Sequence, residues 1–191
     1  MKHFAHFFCF VLLFVFIGCA APTMNLSVPV TETIAPNIDK AIVYFLRPKS
    51  LGFKIHAAVY DDETFIGFVP YGQKLPYVAE PGEHLFMVVS EAADFLKAEL
   101  LAGKTYYVEV VPRMGAWRAR FSLSPYTKEQ LETQTVQKFI KEGRLIQNNE
   151  KAYEWDNSNH GSVLEKKMAY YPKWLSKDES ARPFLNKEDC E

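Results

Sequence analysis

Between residues 40 and 125 apolar and polar positions alternate in short runs broken by turn residues. In Trp117-Arg118-Ala119-Arg120-Phe121-Ser122-Leu123 every second residue is apolar. Successive strand side chains point to opposite faces, so this run reads as a half-buried strand. Tyr106, Val108 and Val110 share one face of the next run upstream, with Tyr107 and Glu109 on the other; Leu96, Ala98 and Leu100 alternate with Lys97 and Glu99. Runs 41–46 and 85–89 are apolar on both sides, which suits central strands covered on two faces. Asp61-Asp62, Pro81-Gly82, Ala102-Gly103 and Met114-Gly115 supply turns. Strands are expected at 40–47, 55–60, 64–69, 75–80, 83–89, 94–101, 104–112 and 116–124. Turns every 8–12 residues or so favour an antiparallel β-sandwich or barrel over βαβ units.

Beyond Pro125 the period becomes helical. Tyr126-Thr127-Lys128-Glu129-Gln130-Leu131 places Thr127 and Gln130 as a capping box, with Tyr126 and Leu131 as a hydrophobic staple. Gly143 is the expected stop. A second helix is expected from about 149 to 171, ended by Pro172, with Leu164, Met168, Tyr171 and Leu175 on its packed face. Residues 180–191 read as a frayed end. The fold class expected is mostly β, an antiparallel sandwich followed by two helical segments.

The N-terminus changes the picture more than any other stretch. Lys2 precedes an unbroken apolar run, 7–17. That is too short for a membrane span, which needs about 20 residues, and fits the apolar core of a signal peptide. Phe16-Ile17-Gly18-Cys19 follows and resembles a bacterial lipobox, which implies lipid on the Cys19 sulfur and a mature chain starting there. Ala20 at the next position, in place of Asp, implies the outer membrane of a Gram-negative envelope, facing the periplasm. The expected organisation is a signal peptide at 1–18, lipidated Cys19 and a tether at 19–39, a β-domain at 40–125 and a helical extension, packed on or beside it, at 126–191. The tether carries Pro22, Pro29 and Pro36 and two charges, Glu32 and Asp39.

Of the 191 residues 48% are hydrophobic and 15% aromatic, a globular composition. With 22 basic and 23 acidic residues the formal net charge is −1, which gives no electrostatic footprint for nucleic acid. Cys9 leaves with the signal and Cys19 is consumed by lipid, so Cys190 is the one thiol left and no internal disulfide is expected. An exposed thiol is the plain reading of Cys190; an intermolecular bridge is the sharper one.

After the lipobox come Ala41-Ile42-Val43-Tyr44-Phe45-Leu46-Arg47-Pro48, a strand containing Gly67, Pro81-Gly82-Glu83-His84 and Gly103-Lys104-Thr105-Tyr106-Tyr107-Val108. In these features, over roughly residues 40–111, the chain resembles a family of small bacterial lipoproteins classed as a domain of unknown function. The resemblance implies a transthyretin-like sandwich and carries no catalytic residues.

Candidate chemistry is sparse. Gly103-Lys104-Thr105 lacks the earlier Gly of a P-loop, with Ala98 in its place, and opens a strand, so a turn is expected. Glu83-His84 has no second His at helical spacing. His56, His84 and His160 lie in separate elements without ligand spacing, and His160 is expected in the helix core. Asp61, Asp62 and Glu63 offer oxygens for a hard cation or form a solvated hairpin tip. Trp155 and Trp174 read as packing residues. Catalytic residues, metal ligands and cofactors are therefore none. Arg118 and Arg120 share a strand face, beside Tyr107 or Glu109, with Arg113 nearby; these arginines are the candidate binding face for carboxylates of envelope proteins or glycan. The expectation is a lipid-anchored envelope binding or assembly module that is not an enzyme. The membrane is a partner through the N-terminal lipid, and neither nucleic acid nor a small-molecule cofactor is expected. The alternatives are an envelope hydrolase with a dispersed triad and a secretion-system lipoprotein component.

Overall fold

The structure, a computed structural model, describes residues 26–31, 34, 38–115 and 120–191. Two sheets lie face to face, with helices on both outer surfaces. The strands are β1 Ser27–Pro29, β2 Ala41–Leu46, β3 Ala58–Asp61, β4 Thr64–Phe68, β5 Gln73–Ala79, β6 Gly82–Val89, β7 Ala93–Leu100, β8 Thr105–Arg113, β9 Arg120–Pro125, β10 Arg144–Asn148 and β11 Phe184–Leu185. The helices are α1 Lys128–Leu131, α2 Gln134–Glu142 and α3 Glu150–Leu175. One sheet runs β1-β10-β5-β2-β8-β9 and the other β11-β7-β6-β3-β4.

All eight expected strand regions carry a strand, with shifted ends. The sheets are mixed and not purely antiparallel: β2 pairs parallel with β8, β10 with β5 and β11 with β7. These parallel pairs arise where the chain returns to a sheet through the opposite sheet or through a helix, connections that a tight hairpin cannot make.

Alternation sorts the side chains into layers. Val43 and Phe45 of β2 and Val108 of β8 meet Phe86 and Val88 of β6 between the sheets, with Phe45 and Phe86 edge to face at 5.3 Å. The outer face of the second sheet, with Tyr60, Met87 and Phe95, packs under α3 through Ala152, Val163 and Trp174. The outer face of the first, with Leu46 and Tyr107, packs under Leu131, Val136 and Phe139. Cover on both faces is why 41–46 and 85–89 read as apolar on both sides.

The capping box forms as expected: Thr127 Oγ1 accepts from Gln130 N and Gln130 Oε1 from Thr127 N. The single helix expected up to Gly143 is instead two, broken after Leu131, and β10 follows it. Asn149 caps α3 by accepting from Ala152 N at 3.2 Å. The helix runs through Pro172 to Leu175. Its buried residues are Ala152, Val163 and Trp174, at 11-residue spacing, so the packed face is the expected one only in part: Tyr171 packs on Phe95 at 5.0 Å, while Met168 is 68% exposed.

Two ends expected to hang free are pinned. Within the stretch read as a tether, β1 pairs antiparallel with β10 and Leu26 is buried. At the C-terminus β11 joins β7, and Glu191 exchanges backbone hydrogen bonds with Thr105 at 2.9 and 3.2 Å. Cys190 is partly buried against the inter-sheet core, not an exposed thiol.

Candidate functional site

Strand directions gather the connections into two ends. β2 and β8 run parallel, and β5 runs against β2. The segments after β2, before β5 and after β8 therefore leave from one end, here the upper end. The β3–β4 hairpin, the turn into β6 and the β7–β8 turn lie at the other.

Arg47 organises the upper end. It follows β2, is fully buried, and pairs with no carboxylate among the described residues. Nη1 donates to Ile55 O at 2.7 Å and Val69 O at 3.1 Å; Nη2 donates to Gly52 O at 2.6 Å and Leu51 O at 3.4 Å. The guanidinium also stacks 4.4 Å from the Phe121 ring centroid. Burial pulls its pKa down to about 10. A planar five-donor fork fits several carbonyls at once, which an ammonium does not. These bonds fix the connection from 48 to 57, where Gly52 takes a φ of 65° that favours glycine. Burial, and then the positive charge of Arg47, keep His56 below its ordinary pKa.

Three connections at this end display large apolar side chains: Leu51 is 44%, Phe53 60%, Tyr71 46% and Met114 82% exposed. Lys54 Nζ lies 5.7 Å from the Phe53 ring. Lys49 Nζ is 2.9 Å from Glu109 Oε1.

The arginines singled out in the sequence border this end. Arg113 and Arg120 stand opposite each other across β8 and β9, as their expected proximity requires. Arg120 does not lie beside Tyr107 or Glu109, because the register sets Ser124 against Glu109. Arg120 Nε and Nη2 donate to Glu91 Oε1 at 3.2 and 2.9 Å, and Arg113 Nη2 is 3.8 Å from Asp94 Oδ2. Both thus reach carboxylates of this chain, Glu91 in the β6–β7 turn and Asp94 at the start of β7, and tie the two sheets together. Arg118 and Cys19 lie outside the described residues.

The lower end holds a cluster that no sequence motif marks. Asp61 Oδ2 accepts from Tyr77 Oη at 2.9 Å and meets His84 Nδ1 at 2.7 Å. His84 Nε2 lies 2.8 Å from Glu80 O, and its ring stacks on Phe86 at 5.5 Å. Both ring nitrogens face acceptors, an arrangement that only the doubly protonated imidazole satisfies with an N–H at each end. The Asp61 hydrogen bond is the main cause that raises the His84 pKa, aided by Glu80 and opposed by burial. Burial, then Asp61, likewise pushes the Tyr77 phenol up. A cleft of about 550 Å³ opens beside His84, lined also by Asp62, Glu83, Lys97, Glu99 and Tyr171.

The hairpin tip is not simply solvated. Asp61 turns inward, while Asp62 and Glu63 take Lys167 of α3 at 2.6 and 2.9 Å. Among the described residues no group of three or more His, Cys, Asp or Glu is placed to hold a metal. His160 is no core residue; it is partly exposed, 3.6 Å from Asp156. Trp174 is buried and Trp155 packs edge to face on Phe68 at 5.0 Å, the packing roles expected. Gly103, with a φ of 73°, makes the β7–β8 turn.

No family model, no curated protein and no solved structure matches the chain.

Proposed function

We propose that this chain is a non-catalytic binding or assembly module of a bacterial cell envelope, held at the outer membrane, facing the periplasm, by lipid on Cys19. The 7–17 apolar run and the Cys19 lipobox support the anchor and the address. The observation that carries the rest is the internal saturation of the Asp61–His84 pair. A general base needs a free ring nitrogen within hydrogen-bond reach of a nucleophile. His84 spends Nε2 on the Glu80 carbonyl and Nδ1 on Asp61, so the pair acts as a clasp between β3 and β6. Two sheets sharing one core are compatible with the transthyretin-like sandwich that the family resemblance implies.

The 2.7 Å Asp61–His84 contact is also what favours the second reading, an envelope hydrolase. His84→Gln separates the two readings. A binding module keeps its envelope partners in a crosslinking pull-down from detergent-solubilised envelopes; a hydrolase loses turnover of ester, peptide and glycan substrates that the wild type cleaves. The anchor is tested by Cys19→Ser, which on this reading accumulates as uncleaved precursor. Normal processing of that variant overturns it.

A further inference from the structure

We infer that the groove between α3 and the β3–β4 hairpin docks a basic, apolar helical segment of a partner protein. Such a site presupposes the binding-module reading above and gives that module's partner its chemistry.

α3 carries two apolar faces. Ala152, Val163 and Trp174 are buried against the second sheet. Leu164, Met168, Tyr171 and Leu175 form a second row at i, i+4, i+7 and i+11. Leu164 follows Val163 and Leu175 follows Trp174, so this row is rotated by about 100° from the buried face. Tyr171 reaches the core, on Phe95 at 5.0 Å, but Met168 is 68% and Leu175 42% exposed. Packing on the sheet accounts for the first face and not for the second. An apolar row at helical spacing is the pattern on which another helix packs, and an unbranched Met in its middle adapts to the shape of what it meets.

The row borders a groove. Lys167 bonds Asp62 and Glu63, which sets the hairpin tip along the same flank of α3. Glu63, Leu164, Met168 and Pro172 line a cleft of about 410 Å³. Tyr171 is shared between it and the 550 Å³ cleft beside His84, where Leu85 and Phe184 continue the apolar lining. From Leu164 to Leu175 the row is roughly 16 Å long at about 1.5 Å per residue. About three turns of a partner helix cover that length, whereas a single small ligand fills one cleft.

Charge selects the partner. The two clefts are lined by the carboxylates of Asp61, Asp62, Glu63, Glu83, Glu99 and Glu179. His84 answers Asp61, Lys167 answers Asp62 and Glu63, and Lys187 lies 3.5 Å from Glu99. With Lys97 added, six carboxylates face four cations, whereas the whole chain is nearly neutral at −1. Glu83 and Glu179 have no ion-pair partner among the described residues. Glu83 also stands directly across from Glu99 on one face of the sheet, a like-charge pair that a cation above it relieves. An apolar floor under an acidic rim complements leucine and lysine on one helix, and the rim repels an anionic membrane surface.

The test uses the full-length protein in phosphatidylcholine nanodiscs and three helical peptides of about fourteen residues, each with one photoreactive leucine. One is built of leucine and lysine, one of leucine and glutamate, one of serine and lysine. The leucine–lysine peptide should crosslink at least about tenfold more than the other two, with the adducts mapping by mass spectrometry to 164–175 and Phe184. The yield should fall about tenfold in Met168→Ser and in Glu83→Gln/Glu179→Gln, at unchanged melting temperature. Adducts elsewhere, equal yields from the three peptides, or variants that crosslink as well as wild type overturn the groove. The same variants then enter the envelope pull-down. Wild type that captures nothing there overturns the binding-module reading and this site with it. Partners held equally by wild type and Met168→Ser overturn the site and not that reading.

Discussion

His84 Nδ1 sits 2.7 Å from Asp61 Oδ2 while its Nε2 faces the Glu80 carbonyl at 2.8 Å. The pair joins β3 to the start of β6 and favours the protonated imidazole, against a partner that also accepts from Tyr77.

Stability should accordingly depend on the charge of His84. The Asp61 hydrogen bond raises its folded pKa above the unfolded value of about 6.5. A raised pKa means that the contribution is complete below about pH 6.5 and is lost as pH rises through the folded value. Melting temperatures scanned from about pH 6 to about pH 9 should fall across that window in the wild type, and His84→Gln should flatten the slope. A wild-type profile that rises over the same range contradicts a protonated His84.

Glu109 is buried at 9% exposure, whereas alternation alone places it on a solvated face. Its Oε2 accepts from Tyr126 at 2.8 Å and its Oε1 pairs with Lys49 at 2.9 Å. Glu109→Lys leaves the Tyr126 hydroxyl without its acceptor and sets two ammoniums side by side, so it should cost about 3 kcal/mol in urea unfolding. A change below about 0.5 kcal/mol would return Glu109 to the solvated face.

The elements that sequence reveals are those whose periodicity is set by local chemistry. β2 and β6 announce themselves by their apolar runs, and Thr127 with Gln130 announces α1. β10 is only five residues, Arg-Leu-Ile-Gln-Asn, between two helices. Its Leu145-Ile146 pair is too short a signal to separate a strand from a helix end. β1 is concealed by its length and by Pro29, which an edge strand tolerates. The face of α3 misleads for another reason: Leu164 and Met168 outrank Ala152 in hydropathy, yet what the sheet accepts is a small Ala152, Val163 and a large Trp174. Glu109 is buried because α1 and Tyr126, two residues ahead of it, fold over β8, which nothing local foretells. Asp61, Tyr77 and His84 belong to three strands and meet only through topology. Arg47 carried one usable signal, an arginine closing an otherwise apolar strand.

Arg47 should be irreplaceable by lysine. Arg47→Lys removes most of the donors that hold the Leu51, Gly52, Ile55 and Val69 carbonyls. The expected cost is about 3 kcal/mol, with faster tryptic cleavage at Lys49 and Lys54 under native conditions. Wild-type cleavage rates would show that the connection does not depend on the guanidinium.

Gly67 should not accept a side chain. Its φ is 151°, and a Cβ there would come within 2.4 Å of Asn148 Oδ1 and 2.8 Å of Leu75 Cδ2. Asn148 fills that space by accepting from Phe68 N at 3.3 Å and donating to Ile66 O at 2.7 Å, which links β10 to β4 across the sheets. Gly67→Ala should destabilise by roughly 2–3 kcal/mol in urea unfolding; a neutral substitution would mean that Asn148 is not the link.

The central claim is that Cys19 holds the domain at a membrane, and the mass of the mature N-terminal peptide from envelope-purified protein tests it most directly. The account predicts a chain that begins at Cys19 and carries diacylglycerol on its sulfur with a further acyl chain on the new amino terminus. A peptide of unmodified mass containing Cys19, or a mature chain that begins elsewhere, would contradict it.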